Sequence, residues 1–202
     1  MKSLFLIALI LVSFGLAAAQ TGQVPIVSRE FGYQDWTHKN LEGEGKTNLR
    51  EFAAGKKLVM VVYWMAWCPD WRLDASFVQQ LHEKYGDKGL GIIGVGQYDT
   101  LGNMRAHVSR FGLTFPMVYE SDSRAARDQT QHYRQRREAG DTRIWGTPLY
   151  VFLEPKALEP KSEVLSRNTD LVIGELRRED TERYIREKLG LADDAAPGSQ
   201  SP

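Results

Sequence analysis

Seven consecutive apolar residues, Leu58-Val59-Met60-Val61-Val62-Tyr63-Trp64, constrain this chain more than any other feature. A run that short, rich in β-branched and aromatic side chains, predicts a central strand buried on both faces. Directly after it, Leu73, Phe77, Val78, Leu81 and Tyr85 recur at helical spacing and predict an amphipathic helix over 71–86. The alternation continues. Leu90 to Val95 reads as a second buried strand, Leu101, Met104, Val108 and Phe111 mark a second helix ended near Gly112, and Pro116 to Tyr119 is a short strand. Residues 123–137 read as a mostly polar helix. Leu149–Leu153 and Leu171–Ile173 are late strands, separated by the Pro155–Pro160 turn region and suited to an antiparallel hairpin. Thr181 to Leu189 is a last helix, stopped by Gly190. This order is α/β, with right-handed parallel crossovers expected in its first half.

The length of 202 residues fits one domain with appendages. Lys+Arg and Asp+Glu are equal at 26 each, so no basic field favours nucleic acid. At the N-terminus, Met1-Lys2-Ser3, the apolar run Leu4 to Leu16 and Ala17-Ala18-Ala19 have the pattern of a signal peptide, residues 1–19. The run is too short to favour a membrane-spanning helix, and no second hydrophobic span follows. The mature chain, from Gln20, is therefore expected to be exported, periplasmic or secreted, without stable membrane insertion. Residues 20–45 read as a loosely structured lead-in with room for an edge hairpin, 46–190 as the folded domain, and 191–202 as a disordered tail.

There is one cysteine, Cys68, so an intramolecular disulfide and a cysteine-based zinc site are both excluded. His38, His82, His107 and His132 are scattered without ligand spacing; no metal and no cofactor is implied. Cys68 lies between the most apolar strand and the first amphipathic helix. There the helix's free amides and dipole favour an anion, and a thiolate is one. Pro69 suits the first helical turn. A buried, inert thiol is the competing reading. Asp74 shares a helix face with Phe77, Val78 and Leu81 and so points inward. There burial raises a carboxyl's pKa and equips it to move protons. The alternative is a partly exposed acid in the first turn, favoured by the dipole.

Trp64-Met65-Ala66-Trp67-Cys68 after an apolar strand resembles the W-x-x-W-C entry to thioredoxin-fold active sites. Leu49-Arg50-Glu51-Phe52, Gly55-Lys56-Lys57-Leu58-Val59, Phe115-Pro116-Met117-Val118 and Gly146-Thr147-Pro148 look like the exported TlpA/ResA-type redoxins. The resemblance covers roughly residues 45–190. It implies a thioredoxin-like fold, α/β with a mixed central sheet flanked by helices on both faces. It also implies thiol-disulfide exchange at Cys68, an active-site carboxylate at Asp74, and a cis-proline at Pro148 preceded by Thr147, whose backbone pairs with extended peptides. Trp67 and Trp71 would line the substrate groove, and the partners would be disulfide- or thiol-containing proteins or a small thiol.

Two departures stand out. Trp71 occupies the place of the family's second cysteine, so an external thiol must release any mixed disulfide. The Pro and Thr of a peroxidatic P-x-x-x-T-x-x-C are replaced by Val61 and Met65. A redox-inactive module that binds peptides through the same groove is the alternative function. Tyr133-Arg134-Gln135-Arg136-Arg137, within an apparent insertion over 129–143, reads as a solvated helix end or a partner-docking face. Trp145 reads as packing or as a wall of the groove.

Overall fold

The computed structural model describes residues 22–191. The expected signal peptide and nearly all of the expected tail lie outside the described residues. Four strands come first: β1 (Gln23–Val24), β2 (Val27–Gln34), β3 (Thr37–Asn40) and β4 (Lys46–Asn48). The short α1 (Leu49–Ala53), β5 (Leu58–Trp64), α2 (Pro69–Tyr85), β6 (Leu90–Gly96) and α3 (Leu101–Phe111) follow. The second half holds β7 (Met117–Tyr119), α4 (Gln131–Glu138), β8 (Leu149–Leu153), β9 (Val164–Ile173), β10 (Glu175–Leu176) and α5 (Arg178–Leu189).

The main sheet has eight strands in the order β2-β9-β8-β5-β6-β7-β3-β4. β5 sits inside it, parallel to β6 and antiparallel to β8, with Val61 opposite both Ile93 and Val151. All seven β5 residues are buried. Their side chains alternate between two cores. Met60, Val62 and Trp64 pack with Trp71, Val78 and Leu81 of α2 and with Met104 of α3 and Ile185 of α5. Val59, Val61 and Tyr63 face the other way, toward Ala53 of α1 and Tyr33 and Trp36. Helices on both faces explain why the run is uninterruptedly apolar. The late hairpin is β8–β9, antiparallel with Val151 opposite Leu171.

Two readings need correction. The lead-in is not loose: β2 is an eight-residue strand, antiparallel to β9 with Ser28 opposite Asp170. Its apolar alternation is weak because it is the outermost strand, and register shifts on either side of Tyr33 break its period. An edge hairpin starts in that segment but closes beyond it: β3 pairs with β4, with Thr37 opposite Asn48. The polar helix over 123–137 is two pieces. A 3₁₀ turn over Arg124–Gln129 ends at Thr130, whose side chain then caps α4 by accepting from the Tyr133 amide.

Candidate active site

Cys68 caps the N-terminus of α2 in an extended conformation, with Pro69 in the first turn. β5 ends four residues earlier, so the cysteine stands where the central strand turns into the helix. The residue is 5% exposed. Its Sγ–H donates to the Thr147 carbonyl at 3.4 Å, and the Thr147–Pro148 peptide bond is cis. Sulfur and cis-proline turn therefore face each other directly. The Thr147 hydroxyl is buried without a partner.

Asp74 is fully buried one and a half turns along α2. Its Oδ2 accepts from the Tyr150 hydroxyl at 2.6 Å and from the Leu176 amide at 2.9 Å, while Oδ1 has no partner. Burial outweighs those two hydrogen bonds and raises its pKa to about 6. Burial and the Asp74 charge together hold Tyr150 well above its ordinary value, and Cys68 is a third, weaker influence on it. Tyr150 thus lies in the field of both the thiol and the carboxyl. It sits in the apolar run of β8, which hid it from sequence reasoning.

The tryptophans divide. Trp71 is fully buried, its Nε1 donating to His107 Nε2 at 2.8 Å, so it fills the core behind the site and offers no wall to a substrate. The buried indole N–H has the partner that burial demands of it. Trp67 is part-exposed and meets Trp145 edge to face at 5.1 Å, with the Arg124 guanidinium 4.4 Å above its ring. Burial, reinforced by the Arg72 charge, lowers the His107 pKa to about 4, so the ring accepts as neutral imidazole.

The basic cluster is split: Arg134 and Arg137 are exposed, as at a solvated helix end, whereas Arg136 turns inward. Arg136 is 1% exposed and donates to the Arg143 and Ile144 carbonyls at 2.7 and 3.0 Å. It crosses directly over Gly146, whose φ is +68°; a Cβ there would lie 2.2 Å from Arg136 Cδ. Arg143 grips buried Asp141 through Nε and Nη2 at 3.0 and 2.8 Å and donates to the Thr147 and Pro148 carbonyls at 3.2 and 3.0 Å. Burial pushes the Asp141 carboxyl up; the Arg143 hydrogen bonds and charge pull it below its usual value. Nearby, His132 bridges the Tyr98 hydroxyl and the Gly146 carbonyl at 2.9 and 3.2 Å. The cis-proline turn is thus held from beneath by Asp141, Arg143, Arg136 and His132. None of these roles was read from the sequence; an Asp-x-Arg placed just before Gly-Thr-Pro was the available signal.

A lone cysteine at a helix N-terminus, facing a cis-proline turn on this sheet, marks a thioredoxin-like fold. The AhpC/TSA family model matches residues 32–143, more than half of the chain, and the chain belongs to that family. The thiol-disulfide oxidoreductase ResA of Halalkalibacterium halodurans is 30% identical over 82 residues, 41% of this chain and 45% of that protein. The thioredoxin-like protein YneN of Bacillus subtilis is 32% identical over 89 residues, 43% of this chain and 50% of that one. The chain thus spans about half the length of the curated relatives it matches. A thiol:disulfide interchange protein from Bacteroides sp. shares the fold, with a TM-score of 0.57, 16% identity, and coverage of 86% of this chain and 95% of that one. Family membership does not restore the peroxidatic threonine: its place holds Met65, which is buried. Among the described residues no helix is long and apolar enough to cross a membrane.

Proposed function

We propose that this protein is an exported thiol-disulfide oxidoreductase that works through Cys68 alone. The observation that carries the reading is the Cys68 sulfur set against the carbonyl that precedes the cis-proline, with a protonatable buried acid on the same helix. The Cys68 thiolate attacks one sulfur of a substrate disulfide. An S–S bond forms to Cys68, the substrate S–S bond breaks, and the leaving thiolate takes up a proton. An external thiolate then attacks the Cys68 sulfur of the mixed disulfide, the substrate leaves as its second thiol, and a second external thiolate frees Cys68 as thiolate by forming the external disulfide. Asp74 holds the proton that the thiol surrenders, with the Tyr150 hydroxyl beside both groups. The Thr147–Pro148 turn presents the substrate backbone to the sulfur. Export rests on the basic start, apolar run and small residues of 1–19.

The test is carried out on the folded protein without residues 1–19. A disulfide probe should give a Cys68 adduct and release one equivalent of thiol, and Cys68→Ser should give neither. Modification only after unfolding sinks the reading. It would favour a second one, a redox-inactive module binding extended peptides beside Thr147. The burial of Cys68 and its bond to the Thr147 carbonyl are the observations on that side.

A further inference from the structure

A cleft of about 310 Å³ opens between the start of α2 and one face of α3, immediately before the nucleophile in the chain. Ala66 and Trp67 form one wall, and Asp99, Asn103 and His107 line the other side. Arg72 and Arg110 also line it. Arg72 uses Nε on the Ala66 carbonyl at 3.0 Å, and Arg110 lies over the Phe111 ring. Among the described residues neither arginine has a carboxylate within ion-pair distance. The one acid in the cleft, Asp99, is already engaged, its Oδ1 accepting from the Thr100 amide and the Asn103 side chain. Neutral His107 on the floor adds no charge. Two arginines against one carboxylate leave the cleft with an excess of one positive charge in a chain with no net charge.

That volume falls at the lower end of small-molecule sites. Guanidinium groups match carboxylates in geometry as well as charge. A cleft walled by Ala66 is two residues from Cys68, and Arg72 is one helical turn beyond it. We infer that the Arg72–Arg110 cleft seats the resolving thiol, a small thiol bearing carboxylate groups, while its sulfur reaches Cys68. The inference rests on the one-cysteine reading and names the chemistry that completes it. One such thiolate attacks the Cys68 sulfur of the mixed disulfide, and the substrate leaves as thiolate and is protonated. A second attacks the sulfur of the small thiol held on Cys68. Cys68 returns as thiolate, and the two small thiols depart as their disulfide. In sum, one substrate disulfide is reduced and two small thiols are oxidised.

The experiment measures the rate at which Cys68 forms adducts with three small disulfides: dithiodipropionate, bis(2-hydroxyethyl) disulfide and cystamine. Each rate is divided by that of the same disulfide with free cysteine. At low salt the anionic disulfide should exceed the cationic one about tenfold, as two exposed charge pairs of up to about fivefold each permit. The ratio should shrink as salt rises. It should fall below about twofold in Arg72→Gln/Arg110→Gln, and Arg110→Glu should invert it. Arg110→Gln alone keeps the Ala66 contact and should fall between, which guards against a folding effect at Arg72. Arg124→Gln, on the far side of Trp67, should leave the ratio near that of the wild type. Equal corrected rates for all three disulfides, or an Arg124→Gln effect as large as the double variant's, overturn the inference while leaving the one-cysteine reading intact. No adduct with any disulfide overturns both.

Discussion

Asp74 concentrates the site's physical cost in one side chain. It is fully buried with only one of its two oxygens bonded, and its pKa stands at about 6 against an ordinary 3.8. A carboxyl raised on folding binds more protons in the native state than in the unfolded one over that window. Its burial therefore destabilises the fold as pH rises from about 4 to 6, by up to about 3 kcal/mol once complete. Asparagine keeps an acceptor for Tyr150 and Leu176 but cannot ionise. Relative to wild type, Asp74→Asn should gain about 2 kcal/mol between pH 4.5 and 7.5, read from urea denaturation at the two pH values. A gap that does not widen with pH would mean that Asp74 ionises as readily inside the fold as in the unfolded chain, and that burial does not raise its pKa. The same substitution should slow disulfide turnover about tenfold or more and alter the pH dependence of Cys68 alkylation. A carboxyl serving only structure would leave that pH profile unchanged.

Among the elements, the turn that carries Pro148 depends on a charge cluster rather than on apolar packing. Asp141 is 1% exposed, bidentate to Arg143 and 3.8 Å from Arg136. Removing its charge leaves the buried Arg136 guanidinium without a carboxylate and takes from Arg143, which is partly exposed, its bidentate partner. Asp141→Asn should therefore cost about 3–5 kcal/mol in urea denaturation. Arg143→Lys should cost less, because an ammonium keeps the charge but cannot span Asp141 and two turn carbonyls together. If Asp141→Asn is neutral, the cluster does not hold the turn. These elements also show where the sequence was legible. The strand Leu58–Trp64 follows because packing on both faces leaves no polar position to confuse the pattern, and helix α2 follows from its apolar stripe, although Leu73 of that stripe is exposed. Cys68, Trp67 and the Thr147–Pro148 turn were found from local motifs, and Asp74 from its helix face. In α4 the solvated reading of the basic residues holds for Arg134 and Arg137 and fails for Arg136. Arg136 is buried only because distant chain brings carbonyls and Asp141 to it. Trp71 was misplaced for a related reason: its acceptor, His107, belongs to another helix.

At the scale of the whole molecule, two neighbouring central strands of the main sheet and the turn that carries Pro148 meet through buried histidine. His132 stacks on Tyr63 of β5 at 4.6 Å and bonds both Tyr98, which follows β6, and Gly146, which precedes the cis-proline. Burial, with the Arg136 charge behind it, lowers its pKa to about 3. The unfolded chain takes up the proton near pH 6.5 while the native state refuses it. Stability linked to His132 is therefore intact above pH 6.5 and falls by about 1.4 kcal/mol per pH unit below it. His107, lowered to about 4, adds a second loss of the same sign, and Asp74 and Glu120, both raised by burial, oppose it. A single substitution isolates the His132 share. His132→Gln retains hydrogen-bonding capacity but not the ring stack, so at pH 7.5 it should be less stable than wild type by about 1–3 kcal/mol. Glutamine does not titrate, so that deficit should narrow by about 2 kcal/mol as pH falls from 7.5 to 5. Thermal unfolding of the two proteins across that range decides it. Parallel curves would show that the imidazole accepts a proton inside the fold, and that the network joining Tyr63, Tyr98 and the cis-proline turn can rearrange without the sheet coming apart.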